Sequence, residues 1–206
     1  MQQTTSSLWP QGSRDRSRPL PLLCVTNRTL CPNGLVEQLK RVAAMQPAGI
    51  LLREKDLPES EYADLARSVA PICHDAHIPL VVHTHANVAR ELGCCHLHLT
   101  LPTLEAMESG MRERLAEEFV LSTSCHSVED AQCAQRLGCA CIIAGHIYET
   151  GSKPGLEPRG LAFLQAVCAA VEIPVWAIGG ITTSRLAAVQ ESGAAGACML
   201  SGFMRA

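Results

Sequence analysis

No apolar stretch in this sequence approaches the ~18 residues that a membrane-spanning helix needs, and the polar start from Met1 to Pro19 lacks the apolar core of a secretory signal. Both absences predict a cytoplasmic chain that stays off the membrane. Runs of a single charge are missing too. The 17 basic and 20 acidic residues are scattered and leave a formal net charge of −3, which argues against a nucleic-acid partner. A small-molecule ligand is expected instead, and the composition leaves a homo-oligomer open. CxxC pairs are absent, so a zinc ribbon has no support although the chain holds 11 cysteines. That number is odd, and most of them lie in apolar runs, as Cys24 does in LLCVT, Cys141 in CACII and Cys198 in ACML. Packing as small hydrophobes in a reducing compartment accounts for them.

What is present is one domain's worth of chain: 206 residues, 47% of them hydrophobic. Residues 1–19, rich in Ser, Gln, Arg and Pro with a lone Trp9, predict a disordered tail ahead of a domain over 20–206. Short β-rich runs then alternate with helical patterns. The runs are LLCVT (22–26), GILLRE (49–54), PLVVHT (79–84), HLHLT (96–100), FVLSTSC (119–125), CACIIAG (139–145), PVWAIGG (174–180) and GACMLSG (196–202). Helices are expected across 35–45 and 60–76, and Gly93, Gly138 and Gly193 stand where a left-handed residue ends a helix. Eight strands separated by helices predict a (β/α)8 TIM barrel, with an open doubly wound sheet as the alternative. The sequence stops at Ala206, so the closing eighth helix is expected to be missing or shortened.

Barrel chemistry sits at the C-terminal strand ends, which carry Thr26, Arg53, Lys55, His83, His85, His98, Cys125, His126, His146, Gly179, Gly180, Ser201 and Gly202. Gly179 and Gly180 in IGGIT, with Ser201 and Gly202 in LSGF, would place two glycine turns side by side as a phosphate site, or would simply make tight turns. In LLREK, alternation aims Arg53 and Lys55 to one side and Glu54 to the other, and Lys153 adds a third cation from the loop YETGSKPGLEPRG. Imidazole titrates near neutrality and exchanges protons both ways, which makes His126 the leading acid and base and His146 its competitor. His83 and His85 form an HxH that alternation would aim to one side, as in metal hydrolases, and Cys94 and Cys95 stand beside His96 and His98. The end of strand eight, MLSGF, offers no acidic ligand, so no metal and no other cofactor are expected.

These residues resemble the thiamine phosphate synthase and TenI superfamily over almost all of residues 22–203, in LLREK, PLVVHTHANVARELG, STSCHSVEDA, AGHIYETGSKPGLEPRG, IPVWAIGGIT and LSGF. Within it the chain is most similar to TenI, the thiazole tautomerase, through GHIYETGSKPGLEPRG; synthases usually carry proline where this chain has His146 and Glu149. Synthases also carry aspartates for Mg²⁺ in an NDR segment and after HLGQ, where this chain reads His83, Thr84, His85 and Thr100, Leu101, Pro102. The resemblance therefore implies metal-independent aromatisation of a thiazole carboxylate phosphate, with His126 as acid and base. Gly179, Gly180, Ser201 and Gly202 would hold phosphate, and Arg53 and Lys153 would face the remaining anionic charge. Synthase chemistry, or a non-catalytic regulator that binds thiazole or thiamin phosphates, is the alternative. TenI-like chains tend to have asparagine at His83, which implies an altered pocket.

Overall fold

The computed structural model describes Leu8 and residues 18–206. Eight parallel strands pair in sequence order and close on themselves, β8 against β1. They are β1 (Leu22–Val25), β2 (Gly49–Leu52), β3 (Leu80–His83), β4 (His96–Leu99), β5 (Val120–Cys125), β6 (Cys141–Gly145), β7 (Val175–Ile178) and β8 (Gly196–Met199). The fold is the expected TIM barrel. Helices α1 (Leu35–Ala44), α2 (Glu59–Asp75), α3 (Ala86–Glu91), α4 (Leu101–Ala106), α5 (Ser109–Glu118), α6 (Val128–Arg136), α7 (Gly160–Ala170) and α8 (Leu186–Glu191) connect the strands. Their apolar spacing decides which side they bury: Leu35, Leu39, Val42 and Ala43 repeat at helical period and form the buried face of α1. Gly93, Gly138 and Gly193, at φ of 64°, 84° and 93°, follow helices as left-handed residues.

Beyond β8, a short α9 (Ser201–Met204) buries Phe203 and Met204. It is held to α1 by Gln38, whose amide donates to the carbonyls of Phe203 (2.6 Å) and Ala206 (3.1 Å). The segment after β8 is thus a four-residue helix packed on α1. Among the described residues, no helix is long and apolar enough to cross a membrane. All 11 cysteines are free, seven of them buried, in keeping with thiols that pack rather than cross-link. Burial pushes the Cys125 thiol up to about 12.

Alternation divides each strand between two cores. Outward residues such as Cys24, Ile50, Leu52, Val82 and Ala177 pack under the helices. Inward residues Leu23, Val25, Leu51, Val81, Cys141, Ile143, Trp176 and Cys198 fill the barrel, joined by Leu8. Gly49 makes room for Leu8, since a Cβ there would lie 2.9 Å from Leu8 Cδ1. Most of the expected N-terminal tail lies outside the described residues, but Leu8, at 6% exposure, belongs to the core. On β3, β4 and β5 the inward residues turn polar: His83, His96, His98 and Ser122 are all buried.

Two stability predictions follow from this interior. Gly196 faces the fully buried Trp176, whose ring a Cβ would overlap. Gly196→Ala should cost roughly 1–3 kcal/mol, seen as a lower urea midpoint at unchanged slope. Burial holds the imidazoles of His83 and His96 down at about 4 and that of His98 at about 3, against an ordinary 6.5. A lowered folded value means that the unfolded chain binds protons first, so this stability is present above pH ~6.5 and is lost on acidification. Unfolding free energies from urea titrations between pH 7 and 5, above the carboxylate range, should fall by on the order of 1–2 kcal/mol per imidazole. A flat profile would contradict the burial of neutral rings.

Candidate active site

A cavity of about 530 Å³ opens at the C-terminal ends of the strands. Its walls bring together the sequence-predicted Arg53, Lys55, His83, His126, His146, Lys153, Gly179, Gly180 and Ser201. Gly202 is not in its wall, because it sits on the second residue of α9, against Met199. Thr26 and Cys125 are also outside it. Cys125 faces the outer core, while Thr26 is structural: its hydroxyl donates to Glu54 (2.7 Å) and accepts from the backbone N–H of Arg53 (2.9 Å).

Glu54 anchors this corner. Its carboxylate is 3% exposed and also receives the backbone N–H and guanidinium of Arg28, which in turn pairs with Asp56. With Glu54 turned away from the cavity, Arg53 and Lys55 are left on its wall without a carboxylate partner among the described residues. Burial lowers the Arg53 and Lys55 values, and for Lys55 the charges of Arg53 and Lys153 lower it further, so three cations converge. They form an anion-seeking wall.

The HxH pair does not converge. Thr84, at φ 70°, takes the left-handed conformation that branched side chains rarely adopt, and this breaks the strand alternation. His85 consequently leaves the cavity to pack on Tyr62, 4.6 Å between ring centroids, 3.7 Å from the Glu59 carboxylate. His83 stays inside, its backbone N–H donating to the Tyr62 hydroxyl, which itself donates to the Leu52 carbonyl (2.7 Å). Its Nδ1 lies 2.8 Å from the Thr84 hydroxyl, and its ring stacks on that of His98. Among the described residues no three His, Cys, Asp or Glu side chains gather as a metal site.

His98 lines the cavity beside His83, and His126 and His146 reach it by different routes. His126 follows β5, and its Nδ1 is 2.7 Å from the Gly145 carbonyl oxygen. A carbonyl only accepts, so Nδ1 carries a proton, and in the neutral ring Nε2 is the acceptor. The backbone N–H of His126 donates to Asp130 Oδ2 (2.8 Å), and Ser127 caps α6 by accepting from the Asp130 N–H (2.9 Å). His146, 5% exposed, spends Nε2 on the Leu156 carbonyl (3.3 Å) in the loop after β6, and its Nδ1 is buried.

The glycine turn after β7 has a packing reason that the sequence did not disclose. A Cβ on Gly179 would overlap His146, and one on Gly180 would overlap the backbone of Glu149 and the Tyr148 side chain. Both have positive φ, 102° and 63°. The glycines therefore let the loop after β6 lie directly on the turn. Arg185 pins the pair, stacking 4.4 Å over the Tyr148 ring and donating to the Gly180 carbonyl (2.6 Å). Ser201 stands beside this turn in the same cavity wall. Sequence reasoning passed over Ser124, Thr100, Glu105 and Asp130, which also line the cavity; the inward alternation of Ser122 and Ser124 on β5 was the available signal.

The family model described as thiamine monophosphate synthase (TMP-TENI) matches residues 22–203. A thiamine-phosphate synthase of Moorella thermoacetica is 32% identical over 172 residues, 83% of this chain and 81% of the relative. A putative thiamine-phosphate synthase 2 of Aquifex aeolicus is 28% identical over 183 residues, covering 89% of this chain and 97% of the relative. The solved thiamine phosphate pyrophosphorylase from Pyrococcus furiosus superposes with a TM-score of 0.77 at 26% identity, over 91% of this chain and 88% of that one. A match that runs from the first residue of β1 past the last of β8, with the cavity inside it, means that the chain belongs to the thiamine monophosphate synthase (TMP-TENI) family.

Proposed function

We propose that this chain is an isomerase that moves a proton on a thiazole carboxylate phosphate, with His126 as the base and acid. The observation that carries the reading is the 2.7 Å contact of His126 Nδ1 with the Gly145 carbonyl, which makes Nε2 the basic nitrogen of the neutral ring. The ligand's phosphate would lie against Gly179, Gly180 and Ser201, and its carboxylate would face Arg53, Lys55 and Lys153. His126 Nε2 takes a proton from a ring carbon and returns it to the exocyclic carbon, so the ring becomes aromatic and nothing leaves. The charge on the carboxylate and phosphate is unchanged throughout. The cationic wall therefore holds the substrate without needing to trap a leaving group.

Thiamine-phosphate synthesis is the second reading, favoured by the names of the relatives and by the three cations, which suit a pyrophosphate. A pyrophosphate leaving group calls for Mg²⁺ held by carboxylates. The cavity's carboxylates are Glu105 and Asp130. Asp130 accepts from the His126 backbone, and Glu105 lies 3.4 Å from the Cys133 thiol. Thr84, Thr100 and Pro102 occupy the positions where the family resemblance would require aspartate. The residues present do not fit such a site.

His126→Asn should slow isomerisation by roughly 10²–10⁴-fold while leaving ligand affinity nearly intact. His146→Asn should lose less, since its Nε2 serves the loop. Following the thiazole tautomer by NMR reads both variants, and a reversed ranking would transfer the role to His146. In parallel, wild type given a pyrimidine pyrophosphate, thiazole phosphate and Mg²⁺ should form no thiamin phosphate; robust formation would install the synthase reading. For the phosphate wall, Ser201→Ala is cleaner than any glycine change, because Gly179 and Gly180 are also needed for packing. It should weaken binding of a phosphorylated thiazole about tenfold to a hundredfold, and unchanged affinity in calorimetry would remove Ser201 from the site.

A further inference from the structure

The inward faces of β4 and β5 carry a hydrogen-bonded chain that the proposed chemistry does not yet use. His98 is 3% exposed. Its Nδ1 lies 3.0 Å from Ser122 Oγ and its Nε2 3.1 Å from Ser124 Oγ. Burial, then the neighbouring His83, Arg53 and Lys55, hold the ring's value down to about 3, so it is neutral and carries one proton. Two arrangements are open to such a ring, one donating from Nδ1 and one from Nε2.

The two serines decide between them. Ser122 is fully buried, and among the described residues His98 Nδ1 is the partner of its hydroxyl. Were Nδ1 protonated, the Ser122 hydroxyl proton would be left without an acceptor in the barrel interior. Nδ1 must therefore accept from Ser122, which puts the ring proton on Nε2, donating to Ser124 Oγ. The hydroxyl proton of Ser124 is then free. Ser124 lines the cavity near the end of β5, two residues before His126.

We propose that His98 is a positioning residue which, braced by Ser122, holds the Ser124 hydroxyl as a hydrogen-bond donor to the ligand beside His126. The catalytic part of this rests on the isomerase reading. As His126 Nε2 removes a proton, negative charge develops on the ring, and a fixed donor adjacent to the base stabilises it. The donor gives a hydrogen bond and keeps its proton. The opposite tautomer would tie that proton to His98 and present the ligand with lone pairs alone.

Ser122→Ala tests the chain from outside the cavity. Long-range ¹H–¹⁵N spectra of the full chain should show wild-type His98 protonated at Nε2, and Ser122→Ala should shift it toward Nδ1, while Ser122→Thr should keep the wild-type pattern. In the tautomer assay, Ser122→Ala should lower kcat by on the order of 10²-fold at nearly unchanged KM, with Ser122→Thr restoring it. Wild-type His98 protonated at Nδ1 would overturn the positioning role whether or not the protein is an isomerase. A shifted tautomer with full activity would overturn the role of Ser124 in the reaction. Should wild type isomerise nothing, the isomerase reading falls by itself and the ring-nitrogen spectra still decide the arrangement of His98, Ser122 and Ser124.

Discussion

Closing eight parallel strands into a ring forces every second side chain of each strand into one shared interior, and the molecule's chemistry is a consequence of how that interior is divided. On β6, β7, β8, β1 and β2 the inward residues are apolar, from Cys141 and Trp176 round to Leu51. On β4 and β5 they are His96, His98, Ser122 and Ser124 above Val120, with His83 completing the polar set from β3. A polar group placed there must find a partner inside the barrel, since water cannot reach it from the sides. His98 meets that demand through two serines on the neighbouring strand. The same pairing register that stacks His98 beside Ser122 carries Ser124 and His126 upward into the cavity. A hydrogen-bond requirement of the core thus becomes an arrangement of groups in the site.

Packing and chemistry are joined in the same way on the opposite wall. Gly179 and Gly180 are glycines because the loop after β6 lies against them, and Arg185 fastens the Tyr148 ring and the Gly180 carbonyl together. That loop supplies Lys153 to the cation cluster and holds His146 through the Leu156 carbonyl. The turn and the loop therefore form one unit. A side chain on either glycine would displace the loop, its lysine and its histidine together, whatever it did to a phosphate.

Much of the architecture was legible because it rests on period-two alternation and on punctuation by glycine. Those rules place eight strands and the separation of Arg53 and Lys55 from Glu54. They fail where the backbone leaves the extended state. One left-handed residue, Thr84, sends His85 out to Tyr62 and separates the HxH pair, and nothing in a branched residue's type announces that conformation. Gly202 was placed by extending β8 three residues too far, into α9. Leu8 shows the limit of composition: a polar segment can still contribute one apolar side chain to a core, provided a glycine such as Gly49 leaves the space. Ser122 and Ser124 were visible as inward positions, but their partner His98 lies on another strand, 24 and 26 residues away.

The placement of charge makes the cavity asymmetric, with its cations gathered to one side. Arg53, Lys55 and Lys153 gather along one wall with no carboxylate paired to them among the described residues, and the charges of Arg53 and Lys55 oppose protonation of His83 and His98. His83 shows that effect directly, since after burial its largest influences are Arg53 and Lys55. An anionic ligand drawn to this wall would neutralise part of that field. His126 is fixed separately by the Gly145 carbonyl, which accepts the Nδ1 proton and so turns Nε2 to the cavity side. That carbonyl belongs to the last residue of β6, and β6 pairs with the strand that leads into His126, so the register of β5 on β6 sets which ring nitrogen the cavity meets.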